Sequence, residues 1–231
     1  FLLDIEKCFE RVKLEHVWRW GLHWKVPRRL LRMICVTFSL NRRLVYRGSA
    51  SGMVSTTSSI IAGSRFAIAC LHVVLLWPCD NLLNLFPSVA LAKYVDDITL
   101  TVEGPATQVL DTAFLAYDRL VSDIEFGLDL NISKDSSAKQ GKTVALASSK
   151  WLEDRLRHGI LERSIRLVDV ARQLGVDRFG ARGRAAMQQT TRTKRGLKGR
   201  RRMVRLTQLK RQGAAAAKVV RGGHLPAMLF G

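Results

Sequence analysis

Acidic residues are scarce in this sequence and absent from its last part. The 231 residues include 19 aspartates and glutamates against 38 lysines and arginines, a formal net charge of +19, and no acidic residue follows Asp177. Residues 1–150 carry a net charge of +4 and residues 151–231 carry +15. This excess predicts a polyanionic partner, most simply nucleic acid. A solvated basic tail is the alternative, and an anionic membrane is disfavoured because aromatic residues are few and the tail lacks a large apolar face.

Cysteine patterns and long apolar runs are also lacking. The four cysteines are Cys8, Cys35, Cys70 and Cys79. They form no C-x-x-C pair and have no histidines at zinc-ligand spacing, so we expect buried thiols in a reducing compartment. The run Phe66–Trp77 is interrupted by His72 and followed by Pro78, and we expect it to be too short to span a bilayer. With no signal peptide visible, the expected location is intracellular, nuclear or cytoplasmic, and not secreted.

Two adjacent aspartates join two apolar runs in the stretch Ala90–Val102. Residues of the β-branched and aromatic types alternate in both runs, which is typical of a hairpin with a two-residue connection. Asp96 and Asp97 form a poor turn by themselves, because neither takes a positive φ easily and their charges repel. The stretch is therefore either a solvated surface turn or a divalent metal site at a hairpin tip.

A third carboxylate is placed to share such a metal. The apolar strand that opens the chain runs into Asp4, and an aromatic residue, Phe9, stands at the fifth following position. A buried strand ending at Asp4 can lie beside the hairpin and bring Asp4 to Asp96. Magnesium uses few protein carboxylates together with phosphate and water oxygens, so this donor set is sufficient.

At these residues the sequence resembles a known family. Tyr94-Val95-Asp96-Asp97 is similar to the YxDD box of reverse transcriptases, and Asp4 with Phe9 resembles their first palm motif. The following helix, glycine and proline-started helix resemble the enzymes of non-LTR (LINE-type) retrotransposons. The resemblance implies an α+β fold: a polymerase palm, with an antiparallel sheet and helices packed on one face, followed by a basic helical thumb-like segment. It places the palm at residues 1–147, with most of the fingers missing upstream, and the palm end and thumb-like segment at residues 148–231.

The resemblance also implies the chemistry. It predicts an RNA-directed DNA polymerase that joins dNTPs to a primer 3′-hydroxyl on an RNA template, using two Mg²⁺ ions for which Mn²⁺ can substitute. Asp4, Asp96 and Asp97 are the expected catalytic carboxylates and metal ligands, and Ile5 is expected to offer its backbone carbonyl.

Further residues follow from the same resemblance. Phe9 lies where the family has an aromatic steric gate against a 2′-hydroxyl, with a plain core residue as the alternative, and Tyr94 is expected beside the nucleotide. Gly63 and Ser64 match a nucleotide-binding motif that reads approximately P-Q-G-S-P, although Ala62 and Arg65 replace its glutamine and second proline. Lys134 ends a segment similar to G-L-x-L-N-x-x-K and is expected to approach the triphosphate, with an ordinary surface lysine as the alternative.

The C-terminal part offers weaker matches. Residues 173–176 resemble a Leu-Gly turn near the primer end, and residues 225–231 resemble a Leu-Pro-Ala-x-x-Tyr-Gly segment. The pattern of residues 183–220 is helical and rich in basic side chains. We expect these to grip a nucleic-acid backbone through Arg195, Lys198, Arg200, Arg201, Arg202 and Arg205.

Hydrophobic periodicity predicts the elements around these motifs. Helices are expected at Glu10–Trp20 ended by Gly21, from Pro27 to Ser39, at Pro105–Phe126 ended by Gly127, and at Ser148–Ile160. Strands are expected at Arg42–Arg47, Ser51–Ile61, Lys142–Ala147 and Ile165–Val168.

Three other identities stay open. A group II intron maturase is a second enzymatic reading, and a viral RNA-dependent RNA polymerase is disfavoured by the absence of Gly-Asp-Asp and by Phe9. The alternative from another class is a catalytically inactive reverse transcriptase remnant that only binds RNA or DNA.

Overall fold

The structure is a computed structural model that describes residues 1–56, 58–135, 141–173 and 176–179. It divides into two units: Phe1–Thr143 with Leu161–Arg166, and Val144–Ile160 with Leu167–Gly231. Both helices and strands are present and the sheet is mostly antiparallel, so the predicted α+β class holds.

The elements alternate along the chain. The helices are α1 Cys8–Arg11, α2 Leu14–His23, α3 Arg28–Ser39, α4 Ala67–Leu85, α5 Ala106–Leu128 and α6 Lys150–Glu162. The strands are β1 Leu2–Asp4, β2 Val45–Tyr46, β3 Ser49–Ala50, β4 Val89–Tyr94, β5 Asp97–Val102, β6 Val144–Ala145, β7 Arg166–Leu167, β8 Val170–Gln173 and β9 Val176–Phe179.

The first unit is built on three antiparallel strands in the order β4-β5-β1. Leu3, Ile98 and Leu100 are buried on these strands, because the sheet contacts α4 and α5. Just after β1, Ile5 forms a bridge with Ile132, which follows α5. The sheet thus places the end of the N-terminal strand beside the start of β5.

Glycine does not end α2, so that part of the prediction is wrong. The helix continues through Gly21 to His23, and Gly21 is buried. A Cβ atom at Gly21 would collide with the side chain of Leu31 on α3. The glycine therefore serves the close approach of two helices, while Pro27 precedes α3 as predicted.

Helix α5 likewise runs past Gly127, contrary to the prediction, and ends before Asp129, whose φ is 55°. A Cβ atom at Gly127 would lie 2.5 Å from the ring of Trp77 on α4. Phe126, whose apolar side chain and helical spacing predict burial, is 87% exposed. Both differences arise because the contact with α4 fixes which face of α5 is buried.

Pro78 does not end the apolar stretch, so the expectation that this stretch is too short to span a bilayer is wrong. Helix α4 spans 19 residues with Pro78 inside it, and eight of its side chains are buried. By length and composition it is the one helix among the described residues that could cross a membrane. Core helices of soluble proteins meet the same criterion, and α4 contacts α2, α5 and β4.

The predicted strands around residues 42–61 are shorter than expected. β2 and β3 pair around Arg47 and Gly48, both with positive φ, and Arg42 forms a further bridge with Val54. In the second unit, β8 and β9 pair with Gln173 opposite Val176. Residues 174–175 and 180–231 lie outside the described residues, and with them the predicted Leu-Gly turn, the six basic residues from Arg195 to Arg205 and residues 225–231.

Candidate active site

The hairpin between β4 and β5 is shifted by one residue from the prediction. Tyr94 pairs with Asp97, so Val95 and Asp96 form the two-residue connection and Asp97 is the first residue of β5. Val95 has a φ of 57°. That region is unfavourable for a β-branched residue, so the turn carries backbone strain at the tip where Asp96 is presented.

Asp4 lies directly opposite Asp97 in the antiparallel pair of β1 and β5. Directly opposite residues in such a pair project on the same face, with Cβ atoms about 5 Å apart. Tyr94 lies opposite Asp97 on the other side. Tyr94, Asp97 and Asp4 therefore form one row across three strands, with Asp97 in the middle. Asp96 precedes Asp97 in the hairpin turn.

The charges of Asp4 and Asp96 act on the neighbouring ionisable groups of Asp97 and Cys8. Burial raises the pKa of the Asp97 carboxyl, and the negative charges of Asp96 and Asp4 raise it further. Burial, followed by the same two charges, also raises the pKa of the Cys8 thiol, to about 12. Two segments more than 90 residues apart thus concentrate negative charge at one place.

A lysine that the sequence analysis did not select partly neutralises this charge. The Nζ atom of Lys142 lies 3.4 Å from Oδ1 of Asp4, and its charge lowers the pKa of Asp97. The neighbouring Thr143 accepts a hydrogen bond at its Oγ1 from the Asp4 backbone N–H, at 3.3 Å. In the sequence, the only signal was a lysine at the start of an apolar run.

Lys134, the lysine that was selected, points elsewhere. Its Nζ atom lies 2.8 Å from Oε2 of Glu125 on α5. Its predicted approach to a triphosphate therefore requires that this ion pair break. Of the two lysines, Lys142 is the one paired with an aspartate of the site.

The underside of the hairpin holds a second overlooked lysine. Lys93 pairs with Ile98 on the face opposite to the aspartate row. Its Nζ atom is buried without a hydrogen-bond partner among the described residues, and burial lowers the pKa of the ammonium group. Period-two alternation from Val89 through Leu91 already places Lys93 on the buried face, which is the sequence signal that identifies it.

Ile5 and Phe9 lie close to Asp4 along the chain. Ile5 is buried and bridges to Ile132. Phe9 lies on α1, is half-buried, and its carbonyl accepts a hydrogen bond from the N–H of Ile60 at 2.9 Å. Their expected roles as a carbonyl ligand and a steric gate stay predictions.

Gly63 and Ser64 lie in the loop before α4. Gly63 is exposed with a φ of 87°, and a Cβ atom there would meet nothing within 4 Å. The Ser64 N–H donates to the carbonyl of Ile61, and the Ser64 carbonyl accepts from Ala67. The loop is therefore open to a ligand at Gly63. The backbone hydrogen bonds of Ser64 stabilise the turn that leads into α4.

The donor set suits magnesium but is not drawn together. Among the described residues, no three His, Cys, Asp or Glu side chains form a group that could hold a metal ion. Magnesium needs only one or two protein carboxylates when phosphates and water supply the rest. Asp4 and Asp97 fit that requirement, because they lie opposite each other and Asp96 adds negative charge beside them.

Comparison with known proteins gave no assignment. No protein-family model matches the chain, and no curated protein matches it significantly.

Proposed function

We propose that this chain is the palm of an RNA-directed DNA polymerase of the LINE type. The observation that carries the proposal is the register of β1 and β5, which sets Asp4 opposite Asp97 beside a hairpin tip carrying Asp96. A carboxylate at a strand end facing a Tyr-x-Asp-Asp hairpin is the arrangement that the resemblance implies. The sheet with helices α4 and α5 against it is compatible with a palm.

The resident cofactor of such a site is Mg²⁺, which Asp4 and Asp97 would hold as the opposed pair, with Asp96 at the adjoining hairpin tip as the further carboxylate that the resemblance implies. When bound, it would activate the primer 3′-hydroxyl and carry the charge of the triphosphate. Burial first, and then the charges of Asp96 and Asp4, raise the pKa of Asp97, so its ionised form is disfavoured without a cation. A cation at these carboxylates therefore stabilises the folded chain.

The chain's own residues position the reactants in this proposal. Tyr94, which is 59% exposed at the end of the aspartate row, offers a ring surface to the nucleotide. Phe9 limits space beside the sugar, which favours deoxynucleotides. Lys142 contributes an ammonium group beside Asp4, where an anionic triphosphate would need charge compensation.

A thermal-shift experiment tests the metal site. We expect Mg²⁺ to raise the unfolding midpoint of the parent chain and to raise that of Asp96→Asn much less, because one carboxylate is removed. Asp111→Asn, an exposed change on α5, is the matched control and keeps the full response. An equal response from Asp96→Asn contradicts the shared site.

A primer-extension experiment tests the reaction. We expect Mg²⁺-dependent incorporation of dTTP on oligo(dT)-primed poly(rA), and its loss in Asp4→Asn and Asp96→Asn. Incorporation that survives both substitutions would contradict the assignment of the catalytic carboxylates.

The second candidate is a remnant that binds nucleic acid without catalysis. The ion pair of Lys142 with Asp4 and the replacement of the motif glutamine by Ala62 favour it. It predicts tight binding of a primer–template with neither incorporation nor a Mg²⁺-dependent shift.

A further inference from the structure

Positive charge is concentrated in one described part of the chain. Residues 16–79 contain no aspartate or glutamate and nine basic residues, eight of them arginine. The next stretch, residues 80–135, has ten acidic residues and three basic ones. Within the first unit, the basic excess is therefore concentrated on α2, α3, the β2–β3 hairpin and the loop before α4.

Five of these arginines are exposed on two neighbouring elements: Arg28, Arg29, Arg32, Arg43 and Arg47. None forms an ion pair with another described residue. Three lie in the first turns of α3, where the helix dipole disfavours cations. Stabilisation of the fold therefore does not explain them.

The hairpin is fastened to the C-terminal end of α3, which connects the two elements that carry the exposed arginines. The guanidinium of Arg42 donates to the carbonyl of Phe38 at 3.0 Å and to Oγ of Ser59 at 2.9 Å. The hydroxyl of Thr56 donates to the same Phe38 carbonyl. We call the five exposed arginines together with Tyr46 the arginine surface.

Tyr46 gives this surface an aromatic platform. It is 71% exposed on β2, and the guanidinium of Arg47 lies 5.3 Å from the centre of its ring. Basic grooves combined with exposed aromatic rings bind single-stranded nucleic acids, because bases stack on the ring and arginines contact phosphates.

The surface is also linked to the candidate active site within the first unit. After the hairpin, the N–H of Ser59 donates to the carbonyl of Val12, and that of Ile60 donates to the carbonyl of Phe9. Phe9 lies five residues after Asp4. A nucleic-acid strand held on the arginine surface therefore contacts the β2–β3 hairpin. The segment that follows this hairpin is hydrogen-bonded to Phe9 and Val12, shortly after Asp4 in the chain.

A membrane surface fits the same residues less well. The main apolar side chains of α3, Leu31, Ile34 and Phe38, are buried in the protein. Met33 and Val36 of α3 and the following Leu40 are exposed, but they share the exposed side of the helix with Arg29 and Arg32. Helix α3 therefore lacks the wide apolar face that interfacial helices insert into a bilayer. Arginine outnumbers lysine here. Because the planar guanidinium group binds phosphates with two hydrogen bonds and stacks on aromatic rings, this excess favours a nucleic acid.

We propose that the arginine surface binds single-stranded nucleic acid, with arginines on successive phosphates and a base on Tyr46. The choice of partner rests on the proposed function, and the binding itself does not depend on the aspartates. This contact is separate from the one predicted for the basic residues after residue 183.

Fluorescence anisotropy of the full chain with a single-stranded RNA of about 16 nucleotides tests it. We expect Arg43→Gln with Arg47→Gln to weaken binding about tenfold and to reduce the salt dependence of log K by about 1.4, the value for two phosphate contacts. Lys13→Gln with Lys150→Gln removes the same charge, and we expect little change because Lys13 is paired with Asp129. Equal effects of the two pairs would overturn the proposal.

Tyrosine variants and vesicles complete the test. Tyr46→Ala is expected to weaken binding about tenfold by loss of stacking and Tyr46→Phe to keep it. If the arginine double variant binds RNA like the parent but loses binding to phosphatidylserine vesicles, the surface is a membrane contact and the proposal is wrong. Asp96→Asn should leave RNA binding unchanged, and the arginine variant should keep its Mg²⁺-dependent shift, so each proposal can fail without the other.

Discussion

Asp97 is the residue at which the competing effects of the candidate site meet. It is half-buried, lies opposite Asp4 on the neighbouring strand β1 and directly follows Asp96 in the chain. Burial and two like charges raise its pKa, and the positive charge of Lys142 lowers it. Its ionisation at neutral pH therefore opposes folding whenever no further cation is present.

The pH dependence of stability follows from that raised pKa. Because the folded chain holds the Asp97 proton more tightly than the unfolded chain, the free energy of unfolding falls as pH rises from the ordinary value of 3.8 through the folded pKa. We expect Asp97→Asn in EDTA to raise the unfolding midpoint at pH 7 and to give no gain below pH 3.8. Thermal unfolding across this pH range measures it, with Asp111→Asn as the control. A lower midpoint for Asp97→Asn at pH 7 would show that its carboxylate is stabilising.

Lys142 is the residue that should set the strength of metal binding. Its ammonium lies 3.4 Å from Asp4 but its side chain is 72% exposed, so solvent screens the pair. A cation at Asp4 has to compete with it. We expect Lys142→Met to lower the Mg²⁺ concentration for half-maximal thermal shift by up to about fivefold, the range of an exposed ion pair.

The chain offers a matched control for this change. Lys134→Met removes the same group from a pair with Glu125 instead. We expect its half-maximal Mg²⁺ concentration to stay near that of the parent. If Lys134→Met changes the half-maximal Mg²⁺ concentration more than Lys142→Met does, then Lys134, as the sequence predicts, is the lysine that acts at the site.

At the scale of elements, the glycines within helices are packing residues. Gly21 on α2 and Gly127 on α5 each allow a neighbouring side chain, Leu31 or Trp77, to lie against the helix backbone. The sequence suggested helix ends there because glycine is common at such ends. Only the position of the partner helix distinguishes the two uses, and the local pattern does not contain it.

Gly21→Ala tests this use of glycine. Alanine favours a helix by about 1 kcal/mol, but its methyl group would displace the fully buried Leu31, and overpacking costs about 1–3 kcal/mol. We expect the free energy of unfolding to fall by about 1 kcal/mol in urea titrations. At Gly52 a Cβ atom meets nothing within 4 Å, so Gly52→Ala should change it by less than about 0.5 kcal/mol. A stabilising Gly21→Ala would show that α2 and α3 separate easily.

For the molecule as a whole, the sequence predicted the α+β class, the span of α3 and the pairing of the N-terminal strand with the hairpin, but the residue opposite Asp4 is Asp97 and not the expected Asp96. Those features depend on local periodicity and on the apolar character of β1 and β5. The turn residues were displaced by one, because pairing Tyr94 with Asp97 is a choice of register that the neighbouring strand also decides. The pairing of Lys134 with Glu125 and of Lys142 with Asp4 depends on tertiary geometry, and no spacing rule encodes it.

The net charge of +19 gives the whole molecule a testable property. Cations outnumber anions twofold, and the folded chain holds them closer together than the unfolded chain does, so self-repulsion lowers stability at low ionic strength. Ion pairs such as Arg163 with Asp118 act in the opposite direction, because salt weakens them. Since the described ion pairs are few compared with the excess cations, we expect the unfolding midpoint in EDTA to rise between about 20 and about 200 mM NaCl, as the Debye length falls from about 20 to about 7 Å. A midpoint that decreases over this range would mean that specific pairs outweigh the general repulsion, and Arg163→Gln, which removes the pairs with Asp118 and Glu162, should then flatten the decrease.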